Sequence, residues 1–104
     1  QMVGSERFVN VMCEKPNSQK TEVLYELMKY YKKGCSRMWL MQETGVLNAP
    51  ELIRLLRVDG VMIKTLKKEH KNKYGRATSY GVYQLLDLKN AFAVYQKLNP
   101  KKEI

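Results

Sequence analysis

The hydrophobic spacing of the chain changes character at Gly60, and this constrains the fold more than any other feature. Before it, apolar residues recur at helical intervals. After it, Val61-Met62-Ile63-Lys64-Thr65-Leu66-Lys67 and Ser79-Tyr80-Gly81-Val82-Tyr83-Gln84-Leu85-Leu86 are rich in β-branched and aromatic residues. Between them, His70-Lys71-Asn72-Lys73-Tyr74-Gly75-Arg76 carries the asparagine and glycine of a turn. The expectation is a β-hairpin with a basic tip, set after a run of helices.

Those helices are delimited by caps and glycines. Asn17 or Ser18 can cap the first, in which Val23, Leu24, Leu27, Met28 and Tyr31 form one stripe of a 3.6-residue period. Glu22 and Glu26 fall early and Lys29, Lys32 and Lys33 late, as the helix dipole favours, and Gly34 supplies a left-handed stop. Ser36 is the candidate cap of a second helix, Arg37–Thr44, closed by Gly45. Its consecutive Met38, Trp39, Leu40 and Met41 predict burial on more than one side. Asn48-Ala49-Pro50-Glu51 then reads as a helix start, with Asn48 as cap, Pro50 in the first turn and Glu51 placed to bond back to the cap. Ala49, Leu52, Ile53 and Leu56 share the inner face of this third helix, which Asp59-Gly60 closes. After the hairpin, Asp87 or Leu88 opens a last helix carrying Leu88, Ala91, Phe92, Tyr95 and Leu98 up to Asn99-Pro100, and the tail Lys101–Ile104 is expected to fray. At the other end, Arg7–Cys13 reads as a short strand or ordered arm.

The order helix, helix, turn, helix, β-hairpin predicts an α+β winged helix-turn-helix: three helices plus a β-hairpin wing, with an added C-terminal helix. The expected divisions are an arm over residues 1–18, the winged domain over 19–86, and the last helix and tail over 87–104. With 104 residues the chain has room for one domain and none for a separate catalytic one.

The net charge of +9 directs attention to polyanions, and +5 of it falls in residues 57–84. Lys64, Lys67, Lys68, Lys71, Lys73 and Arg76 are the donors there. A bland role remains open for them, since lysines on a hairpin keep it soluble and prevent edge-to-edge pairing. The tip, however, mixes Lys71, Lys73 and Arg76 with Tyr74 and Gly75, a set able to hold phosphates, enter a minor groove and lay a ring on a sugar. On the third helix a 100° step per residue turns Pro50, Glu51, Arg54, Leu55 and Val58 outward, with Arg57 at the margin. Arg54 suits a bidentate guanine contact, Glu51 can accept from cytosine, and Asn48 can reach phosphate or base.

Other chemistries find little support. His70 is the sole histidine and lies in a lysine-rich turn, the carboxylates are scattered, and no glycine-rich loop precedes a helix. The expectation is a protein that is not an enzyme and uses neither cofactor nor metal. Cys13 and Cys35 read as small buried hydrophobes. No apolar run is long enough to span a bilayer, so no membrane partner is expected and a cytoplasmic location is.

From about Thr21 to Leu85 the chain resembles a family of small phage-encoded winged helix-turn-helix DNA-binding domains. The resemblance rests on Gly45-Val46, Leu52-Ile53-Arg54-Leu55-Leu56-Arg57 with Asp59-Gly60, Met62-Ile63, Asn72-Lys73-Tyr74-Gly75-Arg76 and Tyr80-Gly81-Val82-Tyr83-Gln84-Leu85. It implies a regulator that binds double-stranded DNA in a bacterial host cell, with Asn48, Glu51, Arg54 and Arg57 on the major-groove helix and Lys73, Tyr74 and Arg76 on the wing. Pro50 and Glu51 depart from the small or basic residues usual there. In the last helix, which lies outside the resemblance, Phe92 and Tyr95 are expected to pack back onto the first helix; the alternative is a homodimer through Phe92, Tyr95 and Leu98, which would set two reading helices on half-sites about one DNA turn apart. A second function stays open as well. Glu51, Leu55 and Val58 suit contact with a protein, such as a host defence or replication complex that the chain would inhibit or assist.

Overall fold

Ser18 starts the central helix of the molecule. Its hydroxyl accepts from Thr21 N at 3.2 Å, while Thr21 Oγ1 accepts from Ser18 N at 3.0 Å, a reciprocal cap that satisfies amides the helix cannot pair. A computed structural model describes residues 4–100 of the protein. Its elements run α1 (Gly4–Met12), α2 (Gln19–Lys29), β1 (Cys35–Ser36), α3 (Arg37–Thr44), α4 (Ala49–Val58), β2 (Ile63–Lys71), β3 (Ala77–Leu85) and α5 (Leu88–Leu98). The predicted tail Lys101–Ile104 and the first three residues of the predicted arm lie outside the described residues.

Helix α2 packs against α1, α3, α4, α5 and β3. Its Leu24 and Leu27 are fully buried with Val9, Leu40, Ile53, Leu56 and Tyr95, so every helix contributes to one apolar core. The three strands form an antiparallel sheet in the order β1-β3-β2. Cys35 pairs with Tyr83 on one edge and Ile63 with Leu85 on the other, and this end of the sheet joins the core. The result is a mixed α+β fold of five helices and a three-stranded sheet, compatible with a winged-helix arrangement.

Several sequence expectations require correction. Arg7–Cys13 is not a strand: α1 covers most of it, burying Val9 and resting Cys13 against the core one turn later. That four-residue spacing outweighs the β propensity of a short run, since propensity is weaker than burial. Helix α2 ends at Lys29 rather than reaching Tyr31, and Gly34, at φ 80°, closes a further turn beyond it by donating to Tyr30 O at 2.7 Å. Helix α3 has the expected bounds, Ser36 cap and Gly45 stop, but it is not buried on several sides. Leu40 alone is fully enclosed, whereas Met38 is 64% exposed. Asn48 makes no side-chain cap bond, and Glu51 turns to Arg54 instead of to the cap. The strands extend further toward the tip than their composition predicts, because Lys68, Glu69 and His70 pair with Tyr80, Ser79 and Thr78 across the ladder.

Helix α5 is bound tightly into the body. Tyr95 donates its hydroxyl proton to Glu14 O, and Asn99 Nδ2 donates to Lys15 O at 3.0 Å. At its other end Asn90 Nδ2 donates to Gly60 O at 3.0 Å and Asn90 Oδ1 accepts from Met62 N at 3.0 Å. One side chain thus fixes the exit of α4 and the entry of β2.

Candidate functional site

The hairpin changes nature along its length. Ile63, Val82 and Leu85 are buried at its base, while from Lys67 to Tyr80 no residue is buried on either face. A β-ribbon without a core beneath it depends on its ladder and its turn. The turn is stapled by Asn72, whose Oδ1 accepts from Tyr74 N at 2.9 Å and from Arg76 N at 3.0 Å. Asn72 N also donates to Arg76 O at 2.9 Å, and Gly75 takes the left-handed conformation, φ 82°, that such a three-residue loop requires. Local hydrogen bonds therefore hold the tip that presents Lys73, Tyr74 and Arg76. Tyr74 is 80% exposed, with Lys73 Nζ 5.1 Å from its ring centroid.

The ladder register divides the predicted wing residues between two faces. Lys64 and Lys68, opposite Gln84 and Tyr80, share one face; Lys67 and Lys71, opposite Gly81 and Ala77, share the other with Thr65. Helix α4 adjoins the second face, because Arg57 donates to Thr65 Oγ1 at 3.1 Å. Lys67 and Lys71 thus continue the side of the molecule on which α4 lies. Lys64 and Lys68 point the other way.

On α4 the predicted reading residues are exposed but engaged. Arg54 donates through Nε to both Glu51 oxygens at 3.1 and 3.2 Å and through Nη2 to Oε1. The Arg54 guanidinium holds the Glu51 carboxyl below its ordinary range, and Glu51 in turn raises Arg54. Arg57 is committed to the fold, donating from Nε and Nη2 to Ile63 O at 3.2 and 3.1 Å. Asn48 is exposed beside a shallow depression at the α3–α4 turn, next to Leu47, which is 77% exposed. Val58, 73% exposed, ends the outer face of α4.

The predicted dimer residues do not form an open surface. Tyr95 is fully buried, with burial raising its hydroxyl pKa, and its ring lies 6.0 Å from that of Tyr25 on α2. Phe92 packs edge-on against Phe8 of α1 at 5.4 Å, and Leu98 is half-buried against the core. These contacts correspond to the expected packing within the chain, with α1 taking part as well as α2.

Burial raises the Cys35 thiol to about 12, and it lies at 3.5 Å from Glu26 O; neither cysteine is in a disulfide. Among the described residues no group of three or more His, Cys, Asp or Glu could hold a metal ion, and no helix is long and apolar enough to cross a membrane.

Composition and period missed one region: a cleft of about 220 Å³ on the hairpin face turned away from α4, between Tyr30, Lys33, Trp39, Lys68 and Tyr80. Its residues come from three separate parts of the chain, and only the clustering of aromatic with basic residues at 30–39 hinted at it. Comparison of the chain with protein-family models, with curated proteins and with solved structures finds no match in any of the three.

Proposed function

We propose that this protein is a winged-helix regulator of phage or mobile-element type that binds double-stranded DNA without catalysing a reaction. The observation that carries this reading is the state of the hairpin cations. Lys67, Lys71, Lys73 and Arg76 form no ion pair among the described residues, yet they stand on a ribbon whose tip is ordered by its own hydrogen bonds. Positioned cations without carboxylate partners suit phosphates, and Tyr74 between them suits a sugar face or a minor groove. In this arrangement the wing grips the backbone while α4 lies toward the major groove.

Base reading by α4 then runs through the Glu51–Arg54 pair. Arg54 donates to guanine only as far as it leaves Glu51, or the two act together, with Glu51 accepting from the cytosine of the same pair. The site therefore favours backbone affinity over sequence discrimination. A second reading, a protein-directed inhibitor or accessory factor, is favoured by the exposed Leu47 and Val58 at the two ends of α4.

Fluorescence anisotropy on labelled duplexes, across a salt series, tests the proposal. The expected result is binding that weakens steeply with salt and is reduced by Lys73→Ala and Arg76→Ala. Absence of duplex binding at low salt would overturn it.

A further inference from the structure

The cleft on the far side of the hairpin has a chemistry that neither α4 nor the wing tip shares. One wall is the α2–β1 connection, pressed so closely on β3 that a Cβ at Gly34 would lie 2.7 Å from Val82 Cγ1 and 2.9 Å from Tyr83 O. Gln84 Nε2 donates to Lys32 O at 2.6 Å and holds the same connection down. The wall is thus a fixed part of the fold.

Three aromatic rings line the space. Tyr30 and Trp39 meet edge to face, 5.5 Å apart at 87°, and Tyr80 stands on the hairpin. The indole N–H is buried against the Glu26 carboxylate, short of full hydrogen-bond geometry, so the accessible part of Trp39 is carbon. Such a surface accepts a flat ring. Lys33 on the connection and Lys68 opposite Tyr80 add two ammonium groups at the rim, and neither forms an ion pair among the described residues.

Flat apolar surfaces beside two cations fit a planar ring that carries an anion. An acidic peptide would use the lysines and leave the rings uncovered; an aliphatic chain would do the reverse. We propose that this cleft binds a single unpaired nucleotide, its base against Trp39 and Tyr80 and its phosphate on Lys33 and Lys68. Stacking on aromatic side chains is open to any base, because every base has a π-face. A base within a duplex has both faces covered by its neighbours, so only an unpaired one enters. The cleft uses no residue of α4 or of the tip and lies on the opposite hairpin face, so the proposal stands apart from duplex binding. The nucleotide is either free or part of a single strand.

Trp39 is the sole tryptophan, and its fluorescence reports the cleft directly. The full chain is titrated with adenosine 5′-monophosphate, with adenosine, with a short oligothymidylate and with a blunt duplex. The expected result is saturable quenching by the monophosphate, the oligothymidylate or both, the responding ligand identifying the source. Adenosine binds more weakly than its monophosphate, and the blunt duplex quenches less than the single strand. Lys68→Gln and Tyr80→Leu each weaken the response at least fivefold, while circular dichroism shows the fold retained and Tyr80→Leu leaves duplex affinity unchanged. Lys68→Gln alters an exposed side chain and serves alone if Tyr80→Leu loosens the hairpin. The proposal is overturned if neither the monophosphate nor the oligothymidylate quenches, if the duplex quenches equally, or if Lys68→Gln leaves the response unaltered.

Discussion

The helical body engages some of its cations in the fold, whereas the distal hairpin pairs none of its own with a carboxylate among the described residues. In the body, Lys20 pairs with Asp59 at 2.7 Å, Lys29 with Glu26 at 3.6 Å, and Arg57 caps the carbonyl of Ile63. On the distal hairpin, Lys67, Lys68, Lys71, Lys73 and Arg76 form no ion pair among the described residues, although Glu69 sits among them. The +9 of the whole chain is thus held in two forms, part of the positive charge engaged by the fold and part left without a carboxylate partner among the described residues. A cation engaged by the fold is less available to an anionic partner than one held without a carboxylate.

This contrast can be broken or sharpened by substitution. The largest effect belongs to the body: Leu56→Ala, at a fully buried position where α4 meets the core, is expected to cost about 2–5 kcal/mol in urea unfolding. Next comes the tip, where the double variant Lys73→Ala with Arg76→Ala should weaken duplex binding by about tenfold and make the logarithmic salt slope shallower by about 2. Its melting temperature should not move, since neither side chain is buried. A fall in stability instead would erase the distinction between the two regions.

Arg57→Ala should behave as a body substitution although Arg57 lies on the outer margin of α4. Losing its bonds to Ile63 O and Thr65 Oγ1 is expected to cost about 1–2 kcal/mol, with little change in salt slope. Glu51→Ala sharpens the comparison from the other side. It turns Arg54 from a consumed cation into an available one and should tighten duplex binding a few-fold in anisotropy titrations at low salt.

The smallest effect concerns pH. Burial raises the Glu26 carboxyl above its ordinary value, against the opposing pull of Lys29. The folded chain therefore takes up a proton at Glu26 more readily than the unfolded chain, and the associated stability is fullest below the unfolded pKa and is lost as pH rises through the folded one. Glu26→Gln should accordingly gain stability relative to the parent as pH is raised from 4 to 7, read as the difference between two melting-temperature profiles. A constant difference would remove Glu26 as the cause.

Much of the element plan was legible because its signals are local. Ser18, Ser36 and Asp87 cap their helices through bonds that span at most three residues, and Gly45 and Gly75 adopt positive φ where a stop or a tight loop was expected. Asn72 and Gly75 likewise marked the turn they form. The strand β1 was not legible, because two residues carry no period and Cys35-Ser36 become a strand only by meeting Tyr83 and Val82. Helix α1 was hidden by its β-branched and aromatic residues, and only the Val9–Cys13 spacing pointed to a face that α2 and α5 would cover.

The candidate site divides along the same line. Sequence alone determined that positive charge concentrates in residues 57–84 and that the Lys73-Tyr74-Gly75-Arg76 tip is a turn, since composition and turn chemistry are properties of neighbouring residues. Only the tertiary structure decided which cations stay unpaired, which face of the hairpin each lysine occupies, and that Tyr30, Trp39 and Tyr80 line one cleft. Those outcomes depend on ladder register and on distances between residues up to 50 positions apart along the chain, such as Tyr30 and Tyr80. Charge pairing and ring packing act over a few ångströms in space, and no local pattern encodes which residues the fold will bring that close.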